Sequence, residues 1–220
     1  MYYKGQSSAR LQDSTQRGNG TELLVVEGES AARSVAAVRH AQLQGVLPLQ
    51  GKPLNAWQAT EARVLASPLY QQLADALGLP NAVQQGDAPR YEKLLLLLDP
   101  DADGIHIGAL LLLYLWRWQP QLILQQRVWM VRAPMVSLEM LDADTGEISF
   151  HHAYTPAHAR ELQQHRESQG LALRMRHGYR GLGSLPSELL HDSCVHPDTR
   201  QASVVTPDEV QLVIEVFGGA

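Results

Sequence analysis

Five consecutive leucines at positions 94–98 stop at Asp99-Pro100-Asp101-Ala102-Asp103-Gly104, and a second apolar stretch, 105–118, follows at once. A leucine run without alternation belongs in a strand covered on both faces, as inside a parallel sheet packed between helices. The stretch 105–118 is too long for such a strand and predicts a buried helix, so the acidic tract lies in a strand-to-helix turn. The pattern also occurs upstream. The apolar run 22–26 ends on Glu27-Gly28, and Ser30, read as a helix N-cap, precedes Ala31, Val35, Val38 and Leu43 at helical spacing. These units predict an α/β fold, a mainly parallel sheet flanked by helices. Its functional rim should lie beyond the carboxyl ends of the strands, where ligands of open α/β sheets sit.

The intervening chain offers a short strand at 46–47, then Pro48, Gly51 and Pro53, and helical stretches at 58–66 and 70–77 closed by Gly78, Pro80 and Asn81. Past Pro120 the style changes. Strands are expected at 127–132, 135–141 and 148–152, with Asp144-Thr145-Gly146 as a hairpin turn. A polar helix at 155–167, the segment 171–175, a loop at 178–183 and a last helix from Pro207 complete the chain. Three parts result: a loosely held lead-in, 1–20; a core, 21–133; and an appended hairpin with a C-terminal helical segment, 134–220.

Composition removes several function classes. With 45% hydrophobic residues in 220 the chain can build a core, and 18 Lys+Arg against 23 Asp+Glu leave a net charge of -5. No global positive field draws it to nucleic acid or anionic lipid, so contact with a polyanion must be local or metal-mediated. The apolar stretch 105–118 contains His106 and is shorter than the roughly 20 residues a membrane span needs. No membrane role is expected. Cys194 is the single cysteine, and no basic-then-apolar leader precedes the first motif, which predicts a reducing, cytoplasmic setting.

Glu27 at one strand end and Asp99, Asp101 and Asp103 at another put four carboxylates on adjacent loops. Unpaired, such groups raise one another's pKa and call for a cation. Hard oxygen donors with room for water favour Mg²⁺, with Mn²⁺ as a substitute. Alternate residues of an extended segment share a face, so the Asp-x-Asp-x-Asp spacing lets the carboxylates converge. A calcium loop fails because its twelfth position, counted from Asp99, is Leu110 where a bidentate Glu is needed. A solvated acidic turn without a ligand stays open as an alternative.

The motifs Glu27-Gly28-Glu29-Ser30-Ala31, then residues 47–55 ending in Gln50-Gly51-Lys52-Pro53-Leu54-Asn55, then Asp99-Pro100-Asp101-Ala102-Asp103-Gly104-Ile105-His106, then Tyr179-Arg180-Gly181-Leu182-Gly183 occur in order. Together they resemble the TOPRIM region of bacterial type IIA topoisomerase B subunits, those of DNA gyrase and topoisomerase IV, over most of the chain. The resemblance implies a Rossmann-like TOPRIM fold and a Mg²⁺-dependent site for double-strand DNA cleavage and religation. Glu27 would be a metal ligand and acid/base, Asp99 the shared ligand, and Asp101 with Asp103 the second-site ligands. Lys52 would act in catalysis at a DNA phosphate, and Asn55, His106 and Arg180 would contact DNA. For His106 a capping or packing role stands beside that one. The partner would be an A subunit carrying the catalytic tyrosine.

Departures from the family pattern cluster around the metal site. Glu29 replaces an Asp, Ala32-Arg33 a glycine pair, Gln50 an Arg or Lys, Arg180 a Lys, and Ser184-Leu185 a Glu-Met pair, while 36–42 lacks most of the family's basic charge. Weakened phosphate contact is expected, so this chain alone should bind double-stranded DNA weakly. No nucleotide-binding signature precedes residue 20, so no ATP site is expected in this chain. A segment of a longer subunit and a naturally short paralogue both fit. A non-catalytic module regulating gyrase or topoisomerase IV, and a metal-dependent TOPRIM nuclease, are the rival functions. The remaining histidines read as surface groups, and Trp116, Trp118 and Trp129 as packing.

Overall fold

The computed structural model describes residues 10–79 and 89–219. Residues 1–9 of the lead-in, and Pro80 with Asn81, lie outside the described residues. The chain first alternates strands and helices: β1 (Gly18–Glu27), α1 (Gly28–Val38), β2 (Gln44–Leu49), α2 (Glu61–Leu65), α3 (Pro68–Leu77), β3 (Tyr91–Leu97), α4 (Ala102–Trp118), α5 (Pro120–Leu124) and β4 (Val128–Val131). There follow β5 (Val136–Asp142), β6 (Ile148–Ala153), α6 (Pro156–Ser168), β7 (Leu171–Gly178) and a 3₁₀ turn (Leu182–Ser184). Then α7 (Ser187–Leu190) runs into a π turn (His191–Val195), and β8 (Ala202–Val204) and α8 (Pro207–Val213) end the fold with a second π turn (Ile214–Gly218).

The main sheet has the order β2-β1-β3-β4-β8, parallel except for β8. The crossover from β1 leads outward to β2 and that from β3 leads the other way to β4, so the topological switch point lies between β1 and β3. Val26 stands opposite Leu97 in that pair, which brings Glu27 and Asp99 to one edge of the sheet.

The leucine run shows why it lacks alternation. Leu94, Leu96 and Leu98 enter a core shared with Leu73, Leu111 and Val210, while Leu95 and Leu97 enter a second core with Val35, Leu182 and Val195. Each is at most 5% exposed, and full burial of one such side chain contributes about 1.5–3 kcal/mol. Helix α4 is buried along most of its length, with Tyr114 stacked on Tyr70 at 4.1 Å between ring centroids. Trp118 packs in the core, whereas Trp129 is half-buried and carries the Lys93 ammonium 5.3 Å from its ring centroid.

The appended part is a separate antiparallel sheet of order β6-β5-β7. The expected hairpin turn is present: Asp142 accepts hydrogen bonds from the backbone N–H groups of Asp144 and Thr145. Residues 171–175 belong to a longer strand, β7, because β5 offers a second edge through Gly178. The sequence pattern missed α5, α7 with its π turn, and β8, all too short to show a period. Two expectations are corrected. Residues 10–20 are not loosely held, since Leu11 and Ser14 are buried, Gln12 bridges to Val46, Asp13 meets Arg90 and Tyr91, and β1 begins at Gly18. Ser30 is not the N-cap of α1; Glu27 occupies that position and Ser30 lies inside the first turn, because Gly28 already starts the helix.

Glu22 of β1 and Arg200 join the two parts of the chain beneath the surface. The Arg200 guanidinium donates to both Glu22 oxygens at 2.7 and 2.5 Å, with the two side chains 5–6% exposed. Gln44 adds a bond to the same carboxylate at 2.9 Å and a second to the Val195 carbonyl. Among the described residues, no helix is long and apolar enough to cross a membrane.

Candidate functional site

Gly28 has φ +77°, a conformation that L side chains rarely adopt, and it turns the chain from β1 into α1 within one residue. The turn leaves the Glu27 side chain at the carboxyl edge of the sheet. Its Oε2 is buried with no hydrogen-bond partner among the described residues. Burial first, then the charges of Asp99, Asp101 and Asp103, push the Glu27 carboxyl above the usual range, with Lys52 opposing. Asp99 is raised as well, by burial and by Asp101, against the Leu182 N–H that favours its charged form. Two neighbouring acids raised by desolvation and repulsion leave negative charge without a full counter-charge.

Past Asp99 the three aspartates diverge. Asp101 is extended and caps α4, its Oδ1 accepting from the Gly104 N–H at 2.9 Å. Asp103 is already in the first helical turn, so the shared face of an extended segment reaches only to Asp101. Lys52 Nζ stands 2.7 Å from Asp103 Oδ1 and holds that carboxyl below the ordinary range through its hydrogen bond and charge. Among the described residues, no three His, Cys, Asp or Glu side chains stand together at metal-ligand spacing. Glu27 and Lys52 nevertheless line one cleft of about 440 Å³ with Glu29, Gln50 and Asp103.

The other predicted residues fall into two sets. His106 belongs to the rim: its Nδ1 is 3.4 Å from Lys52 Nζ and its ring stacks on Phe217 at 5.6 Å. Asn55 is engaged within the protein, its Nδ2 donating to the Phe217 carbonyl at 3.0 Å and its Oδ1 accepting from the Trp57 and Gln58 N–H groups. Arg180 is exposed, and its backbone N–H donates to Ser184 Oγ.

Residues just past Arg180 carry a role that the sequence pattern did not assign. The Leu182 N–H donates to Asp99 Oδ1 at 2.9 Å, and a Cβ on Gly181 would lie 2.5 Å from Asp99 Oδ2. The Gly-Leu-Gly loop therefore seats Asp99, and Gly181 is needed for space. Its glycine spacing was the available signal. Two of the departures also meet: Gln50 Nε2 donates to Glu29 Oε1 at 3.2 Å. At the replaced glycine pair, Ala32 is fully buried in the second core and Arg33 is exposed, so the added Cβ at position 32 is absorbed by packing.

Carboxylate oxygens without soft ligands, one of them buried and unpartnered, are a donor set that fits a hard divalent cation such as Mg²⁺. Glu27 and Asp99 would hold it first. Asp101 and Asp103 each have one oxygen engaged, by the Gly104 N–H and by Lys52, so they could join through Oδ2.

A mainly parallel α/β sheet with an acidic rim at its switch point defines an open-sheet α/β protein whose candidate site lies beyond the carboxyl ends of its strands. Comparison with known proteins narrows that class, because the Toprim domain matches residues 22–133. The chain belongs to the Toprim domain family. It is 29% identical over 209 residues to the B subunit of DNA topoisomerase 4 from Rickettsia typhi, covering 94% of this chain and 31% of that protein. It is 30% identical over 199 residues to the DNA gyrase B subunit of Thermotoga maritima, covering 90% and 30%. The corresponding gyrase protein of Mycobacterium tuberculosis H37Rv is 32% identical over 202 residues, covering 90% and 29%. The chain thus spans about 30% of the length of these curated relatives.

Proposed function

We propose that this chain is the Mg²⁺-dependent Toprim part of a type IIA topoisomerase B subunit, serving double-strand DNA cleavage and religation in the cytoplasm beside an A subunit that carries the catalytic tyrosine. The observation that carries this reading is the buried, unpartnered Glu27 Oε2 beside Asp99 at the switch point of the sheet. Bound there, Mg²⁺ would stabilise the attacking and leaving oxygens of a phosphodiester exchange. The remaining work falls to the side chains. Glu27, whose carboxyl holds its proton to higher pH than a free glutamate, would exchange a proton with the 3′-oxygen. Lys52 would move from Asp103 to a DNA phosphate, freeing Asp103 for the rim. Leu182 and Gly181 keep Asp99 oriented. With no tyrosine nucleophile assigned to it, the chain alone would neither relax nor supercoil DNA.

The second reading is a non-catalytic binding module for gyrase or topoisomerase IV. The observation behind it is that Asp103 is held by Lys52 and Asn55 by the C-terminal segment. Calorimetric Mg²⁺ titration of the chain and of an Asp99→Ala/Asp101→Ala variant, with and without a short nicked duplex, separates the two. Binding that DNA strengthens and the variant loses is the expected result. No binding even with DNA would overturn the catalytic reading.

A further inference from the structure

A second cleft of about 560 Å³ lies between the three-stranded sheet and α7 with its π turn, and none of its lining residues belongs to the carboxylate rim. Its origin is the register of that sheet. Phe150 stands opposite Glu139, which stands opposite Met175, and Ile148 is two residues along β6, so these side chains share a face. Helix α6 packs against the three strands, yet Ile148, Phe150 and Met175 remain 42%, 56% and 52% exposed, so no element among the described residues covers them. Glu139 on that face is already balanced by Arg174 at 2.9 Å, and its other oxygen lies 3.2 Å from His177 Nε2.

The cleft itself is not balanced. Its lining includes the aromatic residues Phe150, Tyr154 and Tyr179 and the acidic residues Glu188 and Asp192, with no Lys or Arg among the described residues that line it. The Glu188 carboxylate has no hydrogen bond or ion pair among the described residues, and Asp192 Oδ1 meets only its neighbour, His191 Nδ1, at 2.7 Å. Burial pushes the lining His152 down, which favours its neutral form. Ring faces carry negative charge density, and with two carboxylates beside them the cleft complements a cation and repels a phosphate.

We propose that this cleft binds the arginine side chain of a basic segment from a partner protein. A guanidinium stacks flat on aromatic rings and takes a carboxylate in a two-point grip, which a lysine ammonium cannot do. Ile148 and Met175 continue the surface from Phe150 and offer apolar contact to residues flanking that arginine.

The test is an amide-resolved NMR titration of the chain with the probe peptide acetyl-Ile-Arg-Ile-amide and its isosteric citrulline analogue. Saturable shifts at residues 150, 154, 188 and 192 are expected, with at least tenfold weaker binding of the citrulline peptide. Glu188→Gln/Asp192→Asn and Phe150→Ala should each weaken the arginine peptide by a similar factor, and the dispersion of their spectra reports that both variants fold. Absent shifts, equal binding of citrulline, or unchanged binding by both variants would overturn the proposal. Sedimentation showing that this face instead pairs two copies of the chain, abolished by Phe150→Ala, would overturn it too.

Discussion

Replacing Arg200 by methionine tests the buried link between β1 and the C-terminal segment. Methionine keeps much of the volume but withdraws both guanidinium bonds from Glu22, whose side chain is 6% exposed. Removing one partner of a buried pair costs about 3–5 kcal/mol, because the remaining charge is left uncompensated. Gln44 still donates one bond at 2.9 Å, which places the expected loss near the lower limit, about 3 kcal/mol. For a chain of this size that corresponds to a fall in Tm of about 6–12 °C. Urea unfolding at pH 7, followed by far-UV circular dichroism, measures the free-energy loss, and a thermal scan measures the shift in Tm. The double variant Glu22→Gln/Arg200→Met should recover most of the loss, since it leaves no buried charge.

The same pair predicts a pH dependence. Burial alone would raise the Glu22 carboxyl, but the Arg200 and Gln44 hydrogen bonds and the charges of Arg200 and Lys93 outweigh it and hold it below the ordinary range. A depressed folded-state pKa contributes stability that is fully present above the unfolded value, about 4.3, and is lost as pH falls through the folded value. In Arg200→Met the carboxyl should instead be raised, so protonation favours the folded state. The stability gap between the two proteins should therefore narrow from pH 7 towards pH 4. A single variant within about 1 kcal/mol of the parent, or a double variant no more stable than the single, would refute this account.

Gly181→Ala should displace Asp99 by its new Cβ, lowering Mg²⁺ affinity about tenfold in calorimetry with little change in circular dichroism; unchanged affinity would show that Asp99 does not need this seat. Asn55→Ala should cost about 1–2 kcal/mol and raise amide exchange across 214–218, since it removes the bond to the Phe217 carbonyl; unaltered exchange there would show that the C-terminal π turn holds without it.

Much of this protein was legible in local pattern. The unbroken leucines implied a strand between two cores, the Asp144-Thr145-Gly146 turn implied a hairpin, and the paired strand-to-helix turns located the acidic rim. Such signals survive in one dimension because periodicity and turn chemistry act between residues a few positions apart. Partner choice does not. Leu182 meets Asp99 across 83 positions, Arg200 meets Glu22 across 178, and Asn55 meets Phe217 across 162. The helical start at Ala102 turned Asp103 towards Lys52, which the Asp-x-Asp-x-Asp spacing alone had placed with its neighbours. Short elements such as α5, α7 and β8 owe their form to the surfaces they cover, not to their own period. The order of the longer strands and helices, and the Toprim family, were written in the linear chain. Which carboxylate is seated, which is paired and which is left unpartnered came from the folded arrangement alone, because burial and hydrogen-bond partners arise from the packing of distant segments.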